Sequence, residues 1–173
     1  YWTTPKDPPS FNTAPLGAGN IVDLPCIDIY LDGSGGPHTS DPRLRRCGWA
    51  WVVIADITYE ITYGARGHLY TEEQRQQTVP RAEHQALIEA LIAIASSPQV
   101  REATLHSDHQ AVVDGFNRGK AATATSNKAE MWSTIWGIME ELDNRGCIVK
   151  VHKVKAHSSD LDLVPLRHQQ GNN

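Results

Sequence analysis

Three acidic residues, Asp32, Glu83 and Asp108, are the side chains of this sequence best placed for chemistry. Asp32 and Asp108 each follow an apolar segment typical of a strand, and ligand sites of mixed α/β sheets form at strand ends. Glu83 falls in the first turn of a predicted helix, on the apolar stripe that would face the sheet. Grouped carboxylates are costly unless a cation neutralises them, and Mg²⁺ and Mn²⁺ prefer oxygen ligands. The pattern predicts a divalent metal site, where two ions about 4 Å apart would promote hydrolysis of a phosphodiester.

Each acid also has an ordinary structural interpretation. An Asp before Gly-Ser is commonly a turn residue. A Glu in a first helical turn interacts favourably with the helix dipole, and Asp108 can serve as a helix N-cap. None of the three is specific alone, so the metal-site hypothesis depends on their order and local context.

Hydrophobic patterns predict the elements that would hold these acids. Strands are predicted at residues 26–31, 48–55, 57–63, 103–107 and 147–154, and helices at 80–96, 108–117 and 127–146. The order β-β-β-α-β-α-α-β predicts an α/β fold. Its five-stranded mixed sheet would begin with three antiparallel hairpin strands and carry helices on both faces.

The chain divides into two regions of different composition. Residues 1–24 are rich in Pro and Gly and are predicted to be an irregular lead-in or linker, because proline forbids regular ladders. Residues 25–173 are predicted to form one domain with a sizeable core. The end of this domain, residues 155–173, is polar and typical of a loop, so a final helix is not expected within the chain.

Composition narrows the classes of function. No apolar run is long enough to span a membrane, and the N-terminus has no signal-peptide pattern. The three cysteines lack metal-ligand spacing, which favours a reducing, intracellular location. A net charge of −4 opposes a protein that coats nucleic acid by charge alone, although an acidic site can recruit cations that contact phosphate. No exposed apolar stripe demands a partner, so a monomeric domain is expected.

Six segments of the chain resemble the ribonuclease H family in their order and spacing. They are IDIYLDGS at 27–34, GWA at 48–50, RAE at 81–83 with its following Ala-Leu pairs, LHSDHQAVV at 105–113, NKAEMW at 127–132 and VKAH at 154–157. The similarity covers about residues 25–173 and implies the fold of that family. The short connection at 115–127 lacks a basic handle, and with the Pro-rich lead-in it is more similar to retroelement members. That similarity implies an upstream reverse-transcriptase domain.

The resemblance implies an endonuclease that hydrolyses the RNA strand of RNA–DNA hybrids. It assigns Asp32, Glu83 and Asp108 as ligands of two Mg²⁺ ions, with Mn²⁺ as a substitute. Glu83 would also touch a ribose 2′-hydroxyl, the group that distinguishes RNA from DNA. His157 would be a mobile acid–base group that helps to protonate or release product.

The same resemblance implies how the chain would hold its substrate. Gly33 and Ser34 would approach the RNA backbone, Gln110 a base edge or sugar, and Asn127 a DNA phosphate. His109 stands where a Ser is common, and it is expected to face solvent. The tryptophans at 49, 51, 132 and 136 fall on strand and helix stripes and are predicted to be core residues rather than base-stacking platforms.

Two departures bear on activity. The family has a fourth carboxylate shortly after a Gly-Asn pair, whereas this sequence ends at Gly171-Asn172-Asn173, just before that position. Asp160 and Asp162 are nearby alternatives in a loop. Val79 and Pro80 stand where many members have Asn residues that reach the minor groove of the hybrid.

Two alternative functions therefore stay open. One is a non-catalytic ribonuclease H-like module that binds nucleic acid or tethers domains. The other is a DNA-directed nuclease similar to a transposase or resolvase core.

Overall fold

The computed structural model describes residues 10–13, 25–35, 47–54, 61–69 and 78–155. The strands are β1 (Ser10–Thr13), β2 (Cys26–Ser34), β3 (Gly48–Ile54), β4 (Ile61–His68), β5 (Glu102–Ser107) and β6 (Ile148–Lys153). The helices are α1 (Val79–Ala95), α2 (Gln110–Arg118), α3 (Lys120–Thr123) and α4 (Ala129–Asn144). None of these helices is long and apolar enough to cross a membrane.

One mixed sheet holds all six described strands in the order β1-β4-β3-β2-β5-β6. β2, β3 and β4 form an antiparallel meander, whereas β5 runs parallel to both β2 and β6. The predicted α/β class, the mixed sheet and the three leading hairpin strands are confirmed. The central position of β2 matters most for the site, because its parallel partner β5 ends at the same edge of the sheet.

The edge strand β1 is an addition to the five predicted strands. It pairs antiparallel with β4, from Ser10 opposite Arg66 to Thr13 opposite Tyr63. The expectation that no regular structure lies within residues 1–24 was therefore wrong for these four residues. Pro9 and Pro15 flank the strand rather than interrupt it, and an edge strand needs ladder hydrogen bonds on one side only.

The core lies between the sheet and the helices α1 and α4. Alternate residues of the strands, such as Ile29, Trp51 and Leu105, are fully or almost fully buried against the apolar stripe of α1. Trp49, Trp51 and Trp132 belong to this core, as predicted, whereas Trp136 is half-buried and packs against it. The apolar residues that α1 buries in this core are Ala82, Ala86, Leu87, Ile88, Ala90, Leu91 and Ile94.

The opposite face of the sheet carries a small separate cluster of Tyr30, Val52 and Val154. The described helices contribute buried residues to the first face only. A helix on the second face stays a prediction, because it would have to come from residues outside the described ranges.

Candidate metal centre

Two of the three acids are positioned by neighbouring parallel strands. Asp32 lies near the end of β2, opposite Ala50 of β3, and is half-buried. Asp108 follows the last residue of β5 directly and precedes α2. The predicted helix at 108–117 begins at Gln110 instead, so Asp108 occupies the turn between strand and helix rather than the helix itself. Both carboxylates therefore emerge at one edge of the sheet.

Glu83 is carried to the same place by the first turns of α1. The Thr78 side chain caps this helix by accepting a hydrogen bond from the Arg81 N–H at 3.3 Å. A Cβ built on Gly33 would lie 2.6 Å from the backbone nitrogen of Glu83. Only glycine permits this approach of α1 to β2, because backbone atoms cannot move aside as a flexible side chain can. Gly33 therefore sets the distance between Glu83 and Asp32.

The three carboxylates converge as the sequence predicted. One oxygen from each of Asp32, Glu83 and Asp108 lies within 4.8 Å of the others. Glu83 is 4% exposed, and its Oε2 is buried without a hydrogen-bond partner. Burial first, and then the charges of Asp108 and Asp32, raise the pKa of Glu83 from 4.5 to about 9, although the Gly33 backbone N–H hydrogen-bonds this carboxyl group and opposes the shift. Without a cation, Glu83 is protonated at neutral pH.

The donor set fits a hard divalent cation. All three side chains offer carboxylate oxygens, the ligands that Mg²⁺ and Mn²⁺ prefer. A buried oxygen without a partner carries a desolvation penalty that coordination would relieve. These three acids are the only cluster of potential metal ligands found in the described part of the chain.

Two histidines that flank the site were not assigned correctly from the sequence. His84, which was not singled out, is 2% exposed and donates from Nδ1 to the Pro80 carbonyl at 2.7 Å. Burial lowers the pKa of His84 to about 4. His109 is half-buried with its ring centroid 6.0 Å from that of His84, so the expectation that it faces solvent was wrong. The signal that could have revealed His84 is its spacing, because it lies three and seven residues before Leu87 and Leu91 in the same predicted helix.

The residues expected to hold substrate lie around this centre. Ser34 ends β2 and is exposed. Gln110 is exposed at the start of α2 and donates to Asp114 at 2.7 Å. Asn127 is exposed before α4 and lines a cavity of about 270 Å³ together with Arg118 and Lys128. Their roles toward a substrate stay predictions, as does that of Gly33.

His157 lies outside the described residues, as do Asp160 and Asp162. Their roles stay predictions too. The described centre thus contains three of the four side chains predicted to be catalytic.

The fold, with three carboxylates at one edge of its mixed sheet, is of the ribonuclease H-like class. The ribonuclease H family model matches residues 26–173, and the chain belongs to the ribonuclease H family. A search of curated protein sequences gives no significant match.

Solved structures show the same fold at low sequence identity. LC9-RNase H1, a type 1 RNase H with the type 2 active-site motif, is 18% identical with a TM-score of 0.60, covering 86% of this chain and 69% of its own. The RNase H domain of prototype foamy virus is 14% identical with a TM-score of 0.60, covering 84% and 89%. A foamy viral protease–reverse transcriptase solved with an RNA/DNA hybrid is 16% identical with a TM-score of 0.53, covering 99% of this chain and 22% of its own. At these identities the similarity concerns the fold alone.

Proposed function

We propose that this chain is a divalent-metal-dependent endonuclease that hydrolyses the RNA strand of RNA–DNA hybrids. The observation that carries the proposal is the convergence of Asp32, Glu83 and Asp108 within 4.8 Å in a member of the ribonuclease H family. The buried, unpartnered Oε2 of Glu83 supports it, because a carboxyl oxygen in that position gains most from a cation.

Asp32, Glu83 and Asp108 would hold the metal ions. Two bound Mg²⁺ or Mn²⁺ ions would activate a water molecule and stabilise the charge that develops on the phosphate oxygens. Glu83 must lose its proton to become a ligand, so binding of the ions is coupled to proton release. The contact of Gly33 with α1 keeps Glu83 beside Asp32. We assign to His157 the acid–base step that protonates or releases the product.

We assign the substrate contacts by the resemblance to the ribonuclease H family. Gly33 and Ser34 would meet the RNA backbone, Gln110 a base edge or sugar, and Asn127 a phosphate of the DNA strand. The cavity beside Asn127 is also lined by Arg118 and Lys128, which supply positive charge of the kind that phosphate contacts use.

We further propose that the domain acts inside cells as part of a retroelement polyprotein with an upstream reverse transcriptase. Two structural neighbours support this context, the prototype foamy virus RNase H domain and the foamy viral protease–reverse transcriptase. The domain itself would act as a monomer.

A cleavage assay with labelled substrates tests the proposal. The chain is incubated with RNA–DNA hybrid, duplex DNA and single-stranded RNA, in Mg²⁺, in Mn²⁺ and in chelator. We expect metal-dependent cleavage of the hybrid that Asp108→Asn abolishes. Asp143→Asn, an exposed substitution on α4 with the same change in charge, is the matched control and should leave cleavage unchanged.

Two other outcomes would replace the proposal. Binding of the hybrid without cleavage under every metal condition favours a non-catalytic module. Cleavage of duplex DNA instead of hybrid favours a nuclease similar to a transposase or resolvase.

A further inference from the structure

Lys153 is a charged residue beside the metal centre that the mechanism above does not use. It is the last residue of β6 and lies opposite Ser107, the last residue of β5, in the parallel ladder. Its ammonium group therefore sits at the edge of the sheet where Asp108 leaves β5.

The ammonium group of Lys153 is hydrogen-bonded to the backbone although the residue is exposed. Its Nζ donates a hydrogen bond of 2.6 Å to the carbonyl oxygen of Asp108. This is a short, charge-assisted bond, of a kind roughly twice as strong as a neutral one. An exposed lysine ordinarily keeps its strongly hydrated ammonium in solvent, so the contact marks Lys153 as more than a solubilising residue.

Neighbouring bonds hold the rest of the same turn. The Val154 N–H donates to the Ser107 carbonyl at 3.0 Å, and the His109 N–H donates to the Ser107 side chain at 3.1 Å. Two successive carbonyls, those of Ser107 and Asp108, are therefore fixed by two successive residues, Val154 just after β6 and Lys153 at its end. The backbone that carries the Asp108 carboxylate cannot rotate without breaking one of these bonds.

The charge of Lys153 also reaches the site. It lowers the pKa of Glu83, against the larger effects of burial and of the other two acids. It lowers the pKa of His109 as well. These effects show that the ammonium group lies within electrostatic range of both side chains.

We propose that Lys153 is a positioning residue that holds the Asp108 carboxylate toward the metal site by tying the Asp108 carbonyl to β6. The inference rests on the proposed function in so far as Asp108 is a metal ligand. The physical reason is general: partners of a metal ligand fix its orientation, and their loss weakens metal binding although the ligand itself is intact.

Whether the loss of Lys153 weakens or tightens metal binding distinguishes a positioning role from a purely electrostatic one. Removing a positive charge near a cation site should tighten metal binding, because the fixed charge no longer repels the ion. Removing a tether should weaken metal binding, because the Asp108 carboxylate is then less often in place. If Lys153 were only a solvated surface lysine, its removal would leave the affinity for the metal unchanged.

Calorimetric titration with Mn²⁺ at fixed pH and ionic strength measures this sign. We expect Lys153→Met to weaken Mn²⁺ binding about tenfold, the lower end of the effect of removing such a partner. Lys153→Arg, which keeps the charge and the donor, should retain most of the affinity. Lys150→Met, an exposed lysine on the same strand with its Nζ 4.0 Å from Glu102, is the matched control and should bind Mn²⁺ as the unsubstituted chain does. Unchanged or tighter binding by Lys153→Met, or equal losses in the Met and Arg variants, would overturn the proposal.

Two further readouts separate this proposal from the proposed function. In the metal-free protein, the His109 amide should exchange with solvent faster in Lys153→Met than in Lys150→Met, and equal exchange would count against the tether even if no metal binds. In the cleavage assay, Lys153→Met should lower kcat with little change in KM for the hybrid. If the unsubstituted chain binds Mn²⁺ but never cleaves hybrid, while Lys153→Met binds Mn²⁺ more weakly, the proposed function fails and the tether stands. If the unsubstituted chain cleaves hybrid and Lys153→Met retains its Mn²⁺ affinity, the proposed function stands and the tether fails.

Discussion

Glu83 is the residue in which fold and proposed chemistry are in conflict. Its carboxyl group is buried beside two other acids, and its pKa of about 9 means that the folded, metal-free chain holds a proton there that the unfolded chain loses near pH 4.5. Stability falls with rising pH wherever the folded state binds more protons than the unfolded state. Glu83 therefore reduces stability progressively as the pH rises from about 4.5 to about 9, and this contribution is absent at lower pH.

Glu83→Gln should consequently stabilise the metal-free protein. Near pH 7 the gain in the free energy of unfolding is expected to be roughly 2–3 kcal/mol, because the neutral amide avoids the cost of a buried charge or a retained proton. Urea denaturation in chelator at pH 5 and pH 8 measures it, and the two proteins should differ more at pH 8. Excess Mg²⁺ should narrow the difference by stabilising only the unsubstituted chain. Parallel pH profiles for the two proteins would contradict the assigned burial of Glu83.

The role of Gly33 follows from its close approach to the backbone of α1. In Gly33→Ala the new methyl carbon would lie 2.6 Å from the Glu83 backbone nitrogen, so α1 must move away from β2. We expect a loss of roughly 1–3 kcal/mol in stability from this overpacking, together with weaker Mn²⁺ binding. Thermal unfolding and metal titration measure both effects.

Gly137→Ala is the matched control for this substitution. Gly137 lies within α4, and a Cβ there meets nothing within 4 Å. The expected effect is opposite in sign, a gain of roughly 0.5–1 kcal/mol, because alanine is the better helix former. Similar losses of stability in both variants would show that the close contact between Gly33 and α1 does not cause the loss.

At the scale of single residues, the sequence predicts best where residue type and local context agree. Asp32, Glu83 and Asp108 stand in distinctive contexts, so their convergence was predicted and is confirmed. Lys153 has no such context, because a lysine at a strand end is common, and only the register of β6 against β5 brings it to Asp108.

At the scale of elements, helix and strand periodicity predicted α1 and α4 to within about two residues at their ends. The four-residue helix α3 and the edge strand β1 escaped prediction because neither is long enough to show a period. β4 continues to His68, beyond the predicted end at 63, through a Gly-containing segment that weakens the strand pattern.

Arg145 shows how two of these elements are joined. It follows α4, and its guanidinium group donates hydrogen bonds of 2.9–3.2 Å to the carbonyl oxygens of four residues at and beyond the end of α1. Those carbonyls are Ile94, Ala95, Ser97 and Val100. Carbonyls at a helix end lack partners within the helix, so one side chain satisfies several of them.

Arg145→Ala should lower the free energy of unfolding by about 2 kcal/mol, the typical contribution of hydrogen bonds to a charged group. Chemical denaturation measures this loss. Because the contact lies at the opposite end of α1 from Glu83, Mn²⁺ affinity should not change. Arg101→Ala, an exposed arginine before β5, serves as the control for charge. A large loss of metal binding in Arg145→Ala would indicate that the site depends on the far end of the helix.

At the scale of the whole molecule, net charge and proposed substrate oppose each other. The chain carries a net charge of −4, and a polyanionic hybrid would be repelled by it in the absence of cations. The composition predicted this repulsion, but it did not show where on the molecule the negative charge is concentrated. The sheet gathers three of the acids at one edge, and burial of an ionised Glu83 adds a cost that either a proton or a bound cation relieves.

Hybrid binding should therefore depend on divalent ions even where no cleavage occurs. Fluorescence anisotropy with a labelled RNA–DNA hybrid would compare Asp108→Asn, which should not cleave, with a triple variant that neutralises Asp32, Glu83 and Asp108 together. Mg²⁺ should strengthen binding by the single variant, because two of the three acids still attract cations. The triple variant should bind the hybrid more tightly than the single variant in chelator and gain less from Mg²⁺, because the local negative charge is already removed. Equal gains from Mg²⁺ in both variants would mean that the ions act on the hybrid rather than through the acidic site.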